Sequence, residues 1–372
     1  MSTIRVLMVS KACVVGIYQR KLELIAQKGI DLCVVVPPMW RDERGEMPLE
    51  RAFTTGYDLT VLPIRFNGNF HLHYYIGLGK KIREFKPHII HIDEEPYNLA
   101  SWQCLYHAKR VNAKTLFFSW QNIKRNYPLP FSMGEKWILH HVDYALMGTD
   151  SAGDIWREKG YTGNMQTIPQ FGTDPAVFFP LPIRPKRTFT IGFIGRLVEE
   201  KGILVLLEAV AKLGDDWKLK ILGGGPLLET LKTKAHALQI ADKIQFDGQL
   251  PSTQIPPYYH DLDLLVLPSL TRPNWKEQFG RVLVEAMASG VPVIGSDSGA
   301  IPSVIGDSGM IVPEGNATAL YEAITHIRND NQHRQDLIHK GLTRFRAHFT
   351  HEGIASATVK VYQHLHQNAI KS

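Results

Sequence analysis

Two glutamates set the chemistry that the rest of this 372-residue chain has to serve. Glu277 lies in the stretch PSLTRPNWKEQFGRVLVEA, Pro268 to Ala286, and Glu285 follows near its end. Glu285 stands among Val282, Leu283, Val284, Ala286, Met287 and Ala288, a run apolar on every side, where a carboxylate is costly unless something hydrogen-bonds to it. Glu277 precedes the helix that this run predicts, Gly280 to Ser289. The first N–H groups of such a helix, and the positive end of its dipole, favour an anion. Two carboxylates flanking an anion-favouring turn suit a polyhydroxylated ligand that carries phosphate. The same pattern also suits a structural Glu285 paired with an arginine beside a solvated Glu277, because buried ionisable groups mark sites only statistically.

Groups that could meet a phosphate stand upstream. In IGFIGRLVEEKGI, Gly195 lets backbone approach a ligand, Arg196 can fork onto phosphate oxygens, and Lys201 opens the next helix. A second glycine loop, ILGGGP, Ile221 to Pro226, follows the next strand in the same topological position. These two loops and the turn after Pro268 should converge on one sheet edge. Asp261-Leu262-Asp263 has the spacing of a metal-binding D-x-D, but it begins a buried strand rather than ending one, so a structural role is expected.

The elements that must hold these groups read as an α/β chain of two doubly wound halves. Ile4 to Ser10, Asp31 to Pro37, Asp58 to Ile64, Pro87 to Ile92 and Thr115 to Trp120 are short apolar strands of the first half. A helix within Lys11 to Gly29, with Leu22, Leu24, Ile25 and Ala26 on its core face, and helices over His71 to Phe85, Leu99 to Val111 and Phe131 to Val142 alternate with them, and strand–helix–strand spacing implies parallel pairing. Gly16 falls in the first strand-to-helix turn, where a phosphate could sit. The G-x-G-x-x-G fingerprint is absent there, which argues against a nicotinamide enzyme. PHIIHI delivers His91, Asp93, Glu94 and Glu95 to the C-terminal end of its strand, a second candidate edge. Pro175 to Pro185 reads as a hinge, after which the alternation restarts at Phe189. The expected domains are residues 1–178, residues 179–352 and a final helix, residues 353–372.

Composition narrows the class. A hydrophobic fraction of 44%, 21% charged residues and a net charge of +6 describe a soluble globular chain whose basicity is too weak and dispersed for nucleic acid. Lys80, Lys81, Arg83 and Lys86 form a local basic cluster, which suits either a solvated helix face or peripheral contact with anionic lipid. Three unspaced cysteines suit a reducing, cytoplasmic compartment. Met1 leads directly into a strand, so no leader peptide is expected, and no apolar run reaches membrane-spanning length.

The motifs together resemble a known family. GR at Gly195–Arg196, KG at Lys201–Gly202, GGGP at Gly223–Pro226 and the paired Glu277 and Glu285 look like the retaining nucleotide-sugar glycosyltransferases of family four. The resemblance implies a GT-B fold, two Rossmann-like domains facing across a cleft. It implies transfer of a hexose from a UDP- or GDP-sugar to a hydroxyl acceptor, a sugar, lipid or small molecule held by the first domain, without metal or other cofactor. By resemblance, Arg196 and Lys201 neutralise the donor diphosphate and Glu277 accepts sugar hydroxyls. The backbone of Phe279, Gly280 and Arg281 meets sugar and phosphate, and Glu285 accepts ribose hydroxyls. Gly16, Gly195 and Gly224 line the donor, Gln249 or Leu250 meets the base, and His91 resembles the acceptor-side histidine. A same-fold epimerase or phosphorylase, or a non-catalytic nucleotide-sugar binder, would use the same residues. The chain departs from the pattern at the first turn, which has Gly16 alone, at Gln278, and in the added residues Arg272 to Lys276.

Overall fold

A computed structural model describes residues 3–42, 45–181, 188–250 and 254–371. It divides into two compact units: Met1–Gly172 together with His351–Ser372, and Thr173–Thr350. The division falls before residue 178 because Thr173 bridges Thr350 and its N–H donates to the Phe349 carbonyl at 2.8 Å, tying that strand of chain into the second unit. Of the expected hinge, residues 182–187 lie outside the described residues.

In the first unit, β1 (Ile4–Val9), α1 (Arg20–Gln27), β2 (Ile30–Val36), the hairpin of β3 (Met39–Asp42) and β4 (Gly45–Pro48), and β5 (Asp58–Val61) are followed by a small ribbon of β6 (Ile64–Arg65) and β7 (Tyr74–Tyr75). Then come α2 (Leu78–Phe85), β8 (Ile89–Ile92), α3 (Leu99–Arg110), β9 (Lys114–Ser119), α4 (Phe131–His141), β10 (Tyr144–Met147), α5 (Asp150–Glu158) and β11 (Asn164–Thr167). The main sheet is parallel, in the order β11-β10-β9-β8-β1-β2-β5. Its central strands are buried on both faces, which explains why they read as continuous apolar runs. Alternate residues serve opposite layers. Leu7 and Val9 face α3, α4 and α5, whereas Val6 and Met8 face α1 and the last helix, His351–Lys371. The helix expected over His71 to Phe85 is shorter, because Tyr74 and Tyr75 pair with Arg65 and Ile64 and Gly77 turns the chain at φ 84°.

The second unit contains β12 (Phe189–Ile194), α6 (Ile203–Val210), β13 (Trp217–Leu222), α7 (Leu228–Ala237), β14 (Ile244–Gly248), α8 (Ile255–Tyr259), β15 (Leu264–Leu267) and α9 (Arg281–Ala288). It closes with β16 (Val293–Ser296), α10 (Ile301–Ile305), β17 (Met310–Val312), α11 (Ala317–Asn329) and α12 (Asn331–His348), and α13 is the helix His351–Lys371 of the first unit. Its sheet is parallel, ordered β14-β13-β12-β15-β16-β17. One layer packs α6, α7 and α11, the other α8, α9 and α10. Strand order reverses between β1 and β8 in the first unit and between β12 and β15 in the second. Crevices beyond the carboxyl ends of strands at such switch points are where α/β sheets bind ligands. Among the described residues no helix is long and apolar enough to cross a membrane.

Candidate functional site

The switch point of the second unit gathers the predicted phosphate and sugar groups. The loop after β12 and the loop after β13 lie backbone against backbone. Leu197 N–H donates to the Gly224 carbonyl at 2.9 Å, and a Cβ on Gly223, whose φ is +145°, would sit 1.8 Å from the Gly195 carbonyl oxygen. A Cβ on Gly225 would likewise lie 2.5 Å from the Leu197 carbonyl oxygen, so these two glycines are needed to stack the loops. Gly202, at φ +65°, performs the same service between the Lys201 turn and the segment after β15, since a Cβ there would lie 1.8 Å from the Pro268 carbonyl oxygen. Only glycine lets these three chain segments meet at one edge.

Lys201 and Glu277, far apart in sequence, are brought together by that contact. The Lys201 ammonium donates to Glu277 Oε2 at 2.6 Å, and the Ser269 hydroxyl donates to the same oxygen at 2.9 Å. The Glu277 side chain is buried, and its carbonyl accepts from Ala300 N–H at 3.0 Å, which locks the backbone as well. Arg196 is exposed, with Glu200 3.6 Å away. Phe279, Gly280 and Arg281 form the turn that opens α9, and Gly280 takes φ +73° so that the helix starts directly beneath it. The backbone here offers the positive end of the helix to the same crevice.

Glu285 lies one helical turn inside α9 and is buried. The Tyr259 hydroxyl donates to its Oε2 at 2.7 Å, and Arg281 Nε lies 2.9 Å from Oε1. Burial pushes its carboxyl above the usual carboxylate range, against the opposing pull of Arg281 and Tyr259. The structural partner that the sequence left open is thus Arg281, itself half-exposed on the rim. Gly224 stands against Gln249, whose Nε2 would be 3.0 Å from a Cβ there. Leu250 packs on the α8 and α9 layer, and residues 251–253 beyond it lie outside the described residues.

Asp263 is committed to structure, and Asp261 forms a surface ion pair. Asp263 accepts from Thr190 N–H at 2.9 Å at the start of β12, and Asp261 pairs with Lys220 at 2.9 Å. No cluster of three metal-ligating side chains occurs among the described residues.

Two expectations for the first unit need correction. His91 is on β8, but strand alternation turns it with Ile89 into the layer covered by α13. Its Nδ1 lies 2.6 Å from the Tyr362 hydroxyl, Nε2 is buried, and burial brings its pKa down to about 4. Enclosed beneath α13, the imidazole presents no exposed edge to an acceptor. Gly16 offers its N–H to the Glu50 carboxylate at 2.6 Å rather than to an open crevice, so the lone glycine of that turn is already occupied.

What the sequence missed at this edge is Lys11, just past β1. Lys11 forms an ion pair with Glu94, which also accepts from Asn98 at 3.1 Å and lies 3.4 Å from His73. Burial opposes the Glu94 charge, but Lys11 and His73 outweigh it and bring the carboxyl down to about 2. Glu95 goes the other way. It accepts from the Ser119 hydroxyl at 2.6 Å and Trp120 N–H at 2.9 Å, yet burial lifts it to about 7. The acidic triplet after β8 was visible in sequence; its lysine partner, 83 residues earlier, had no local signal.

The fold places the chain in the GT-B class. Anabaena HepE, solved with UDP and glucose, superposes with a TM-score of 0.69 at 14% identity, over 97% of this chain and 99% of that one. The glycosyl transferases group 1 family model matches residues 178–344. The lipopolysaccharide core biosynthesis mannosyltransferase LpsB of Rhizobium meliloti is 31% identical over 252 residues, covering 62% of this chain and 68% of that protein. The chain belongs to the group 1 glycosyl transferases. Another relative, WcaL of Escherichia coli K12, named for colanic acid biosynthesis, is 31% identical over 182 residues, 46% of this chain. The chain matches just under half of that relative's length, 45%.

Proposed function

We propose that the chain is a retaining hexosyltransferase that moves a sugar from a nucleoside diphosphate donor to a hydroxyl acceptor in polysaccharide or glycolipid synthesis. The observation that carries this reading is the Lys201–Glu277 contact of 2.6 Å at the β12/β15 switch point, with buried Glu285 eight residues further on. Lys201 and Arg196 supply the positive charge a departing diphosphate needs, Glu277 accepts hydroxyls of the transferred sugar, and Glu285 accepts those of the ribose. The buried partners of both carboxylates support this division, because each group is held in one orientation before a ligand arrives.

Retention follows if the acceptor attacks the anomeric carbon on the face the diphosphate leaves. The acceptor oxygen forms the new bond, the bond to the phosphate oxygen breaks, and the acceptor proton passes to the leaving phosphate. No protein nucleophile is then required, in contrast to retaining hydrolases with two carboxylates about 5 Å apart. In this reading Arg196 and Lys201 neutralise the diphosphate without a metal, a point that the EDTA arm of the test below decides. The acceptor belongs to the first unit in this reading.

The test is a panel of UDP- and GDP-sugars with nucleoside diphosphate release as readout, in the presence and absence of EDTA. Glu277→Ala should abolish transfer while circular dichroism and the thermal midpoint show an intact fold. Unchanged kinetics in that variant would sink the assignment. Epimerised sugar or free phosphate without acceptor, or tight donor binding without turnover, would replace transfer by isomerisation, phosphorolysis or simple binding.

A further inference from the structure

The added residues Arg272 to Lys276 fold into a device aimed at Lys201. Pro273 and Asn274 occupy the two central positions of a tight turn, where proline presets φ and asparagine tolerates the following kink. Arg272 and Trp275 close it by exchanging backbone hydrogen bonds, at 2.8 and 3.1 Å. Both flanks are fastened. Leu270 N–H donates to the Glu200 carbonyl at 2.8 Å, and the Thr271 hydroxyl donates to Glu314 at 2.5 Å while its N–H meets the same carboxylate. Arg272 also stands 3.7 Å from Glu199. The turn therefore cannot swing freely, and its last residue is delivered to a fixed place. That place is the Lys201 ammonium, which lies 5.1 Å from the centroid of the Trp275 ring and, on another side, against Glu277.

We propose that Trp275 is a positioning residue of the donor site, whose aromatic face holds the Lys201 ammonium beside Glu277 so that its remaining N–H groups meet the donor diphosphate. This rests on the donor-site reading given above. The ion pair with Glu277 holds the ammonium on one side only, and its other N–H groups can still turn. The indole adds a second restraint by attracting the charge through its π face.

A substitution series separates this role from plain packing. Trp275→Phe keeps a ring face, Trp275→Leu keeps apolar bulk without one, and affinity for UDP and GDP is measured by titration calorimetry on the full chain. Trp275→Phe should bind within about twofold of the parent and Trp275→Leu about tenfold more weakly. In a Lys201→Gln background, Trp275→Leu should cost nothing further. Equal affinity of the Leu and Phe variants, or an undiminished loss in the Lys201→Gln background, overturns the role of Trp275 while leaving the donor site standing. A parent chain that binds neither UDP nor GDP overturns the donor site itself, and the proposal with it.

Discussion

Glu285→Ala gives the sharpest test of the division of labour between the two carboxylates. In the folded chain the residue is 5% exposed, and its two oxygens are held by Tyr259 and Arg281. Removing the carboxylate leaves the fully buried Tyr259 hydroxyl without its main acceptor; the Val282 carbonyl, 3.4 Å away, is a weak substitute. An unsatisfied buried hydroxyl costs roughly 1–3 kcal/mol. Arg281, half-exposed, recovers water, and the penalty for burying the carboxylate disappears, so the net loss of stability should stay near the lower end of that range. Binding should suffer more. Two ribose hydroxyls donating to an ionised acceptor are worth about 1.5–3 kcal/mol each, so loss of even one corresponds to roughly a 10- to 100-fold weaker Kd. Titration calorimetry with UDP and GDP measures this directly, with urea unfolding of the same samples as the stability control. A variant that keeps parental affinity within a factor of about two, while its fold is intact, would show that Glu285 only braces α9 through Arg281.

Gly202→Ala should destabilise the second unit by roughly 2–4 kcal/mol, from a left-handed alanine plus a clash with the backbone of Pro268, and urea midpoints equal to the parent would contradict the loop contact. Glu95 and His91 predict opposite pH effects within one sheet. Glu95, lifted from 4.5 to about 7, keeps its proton in the folded state while the unfolded chain loses it. Its contribution therefore falls as pH rises through that window, by about 3 kcal/mol in all. Glu95→Gln should remove this slope and make the protein more acid-sensitive than its parent between pH 7 and 4.5, as read by urea melts across pH. His91, lowered from 6.5 to about 4, stays neutral when folded, so its contribution is complete above 6.5 and is lost as pH falls toward 4. His91→Gln should flatten acid destabilisation in that range, and the parental pH profile in either variant would refute the burial argument.

How much was legible in the sequence follows from what each feature depends on. The two doubly wound sheets were readable because strands buried on both faces must be continuously apolar, and Ile191, Phe193, Leu264 and Val266 are buried as that pattern requires. Glu285 was conspicuous because a carboxylate inside an apolar helix violates the local rule, and its partner Arg281 is one turn away. Glycines gave away the loop edge because each must permit a close approach. His91 failed for a different reason. A strand-end histidine reads the same on either face, and the face was decided by Tyr362, 271 residues later on a helix that closes over the sheet. The hairpin of β3 and β4 escaped for a similar reason, since short edge strands carry weak periodicity.

The pairings invisible to sequence are the ones that tune the site. Lys201 is separated from Glu277 by 76 residues and Lys11 from Glu94 by 83, and no local pattern tells a lysine which carboxylate it will meet. Parallel sheets make such meetings general. Every strand ends at the same edge, so residues just past successive strands become neighbours whatever their separation. Lys11 follows β1 and Glu94 follows β8, the two strands at the first unit's switch point; Lys201 follows β12 and Glu277 follows β15, the two at the second's. Both units thus place a partly buried lysine–glutamate contact where the strand order reverses. In each contact an aromatic face flanks the lysine: the Lys11 ammonium lies 5.5 Å from the Trp40 ring centroid and 5.7 Å from that of Phe70, and the Lys201 ammonium 5.1 Å from that of Trp275. In the proposed reading the second switch point is set apart by the exposed Arg196 and by the N-terminus of α9, both of which add attraction for an incoming anion.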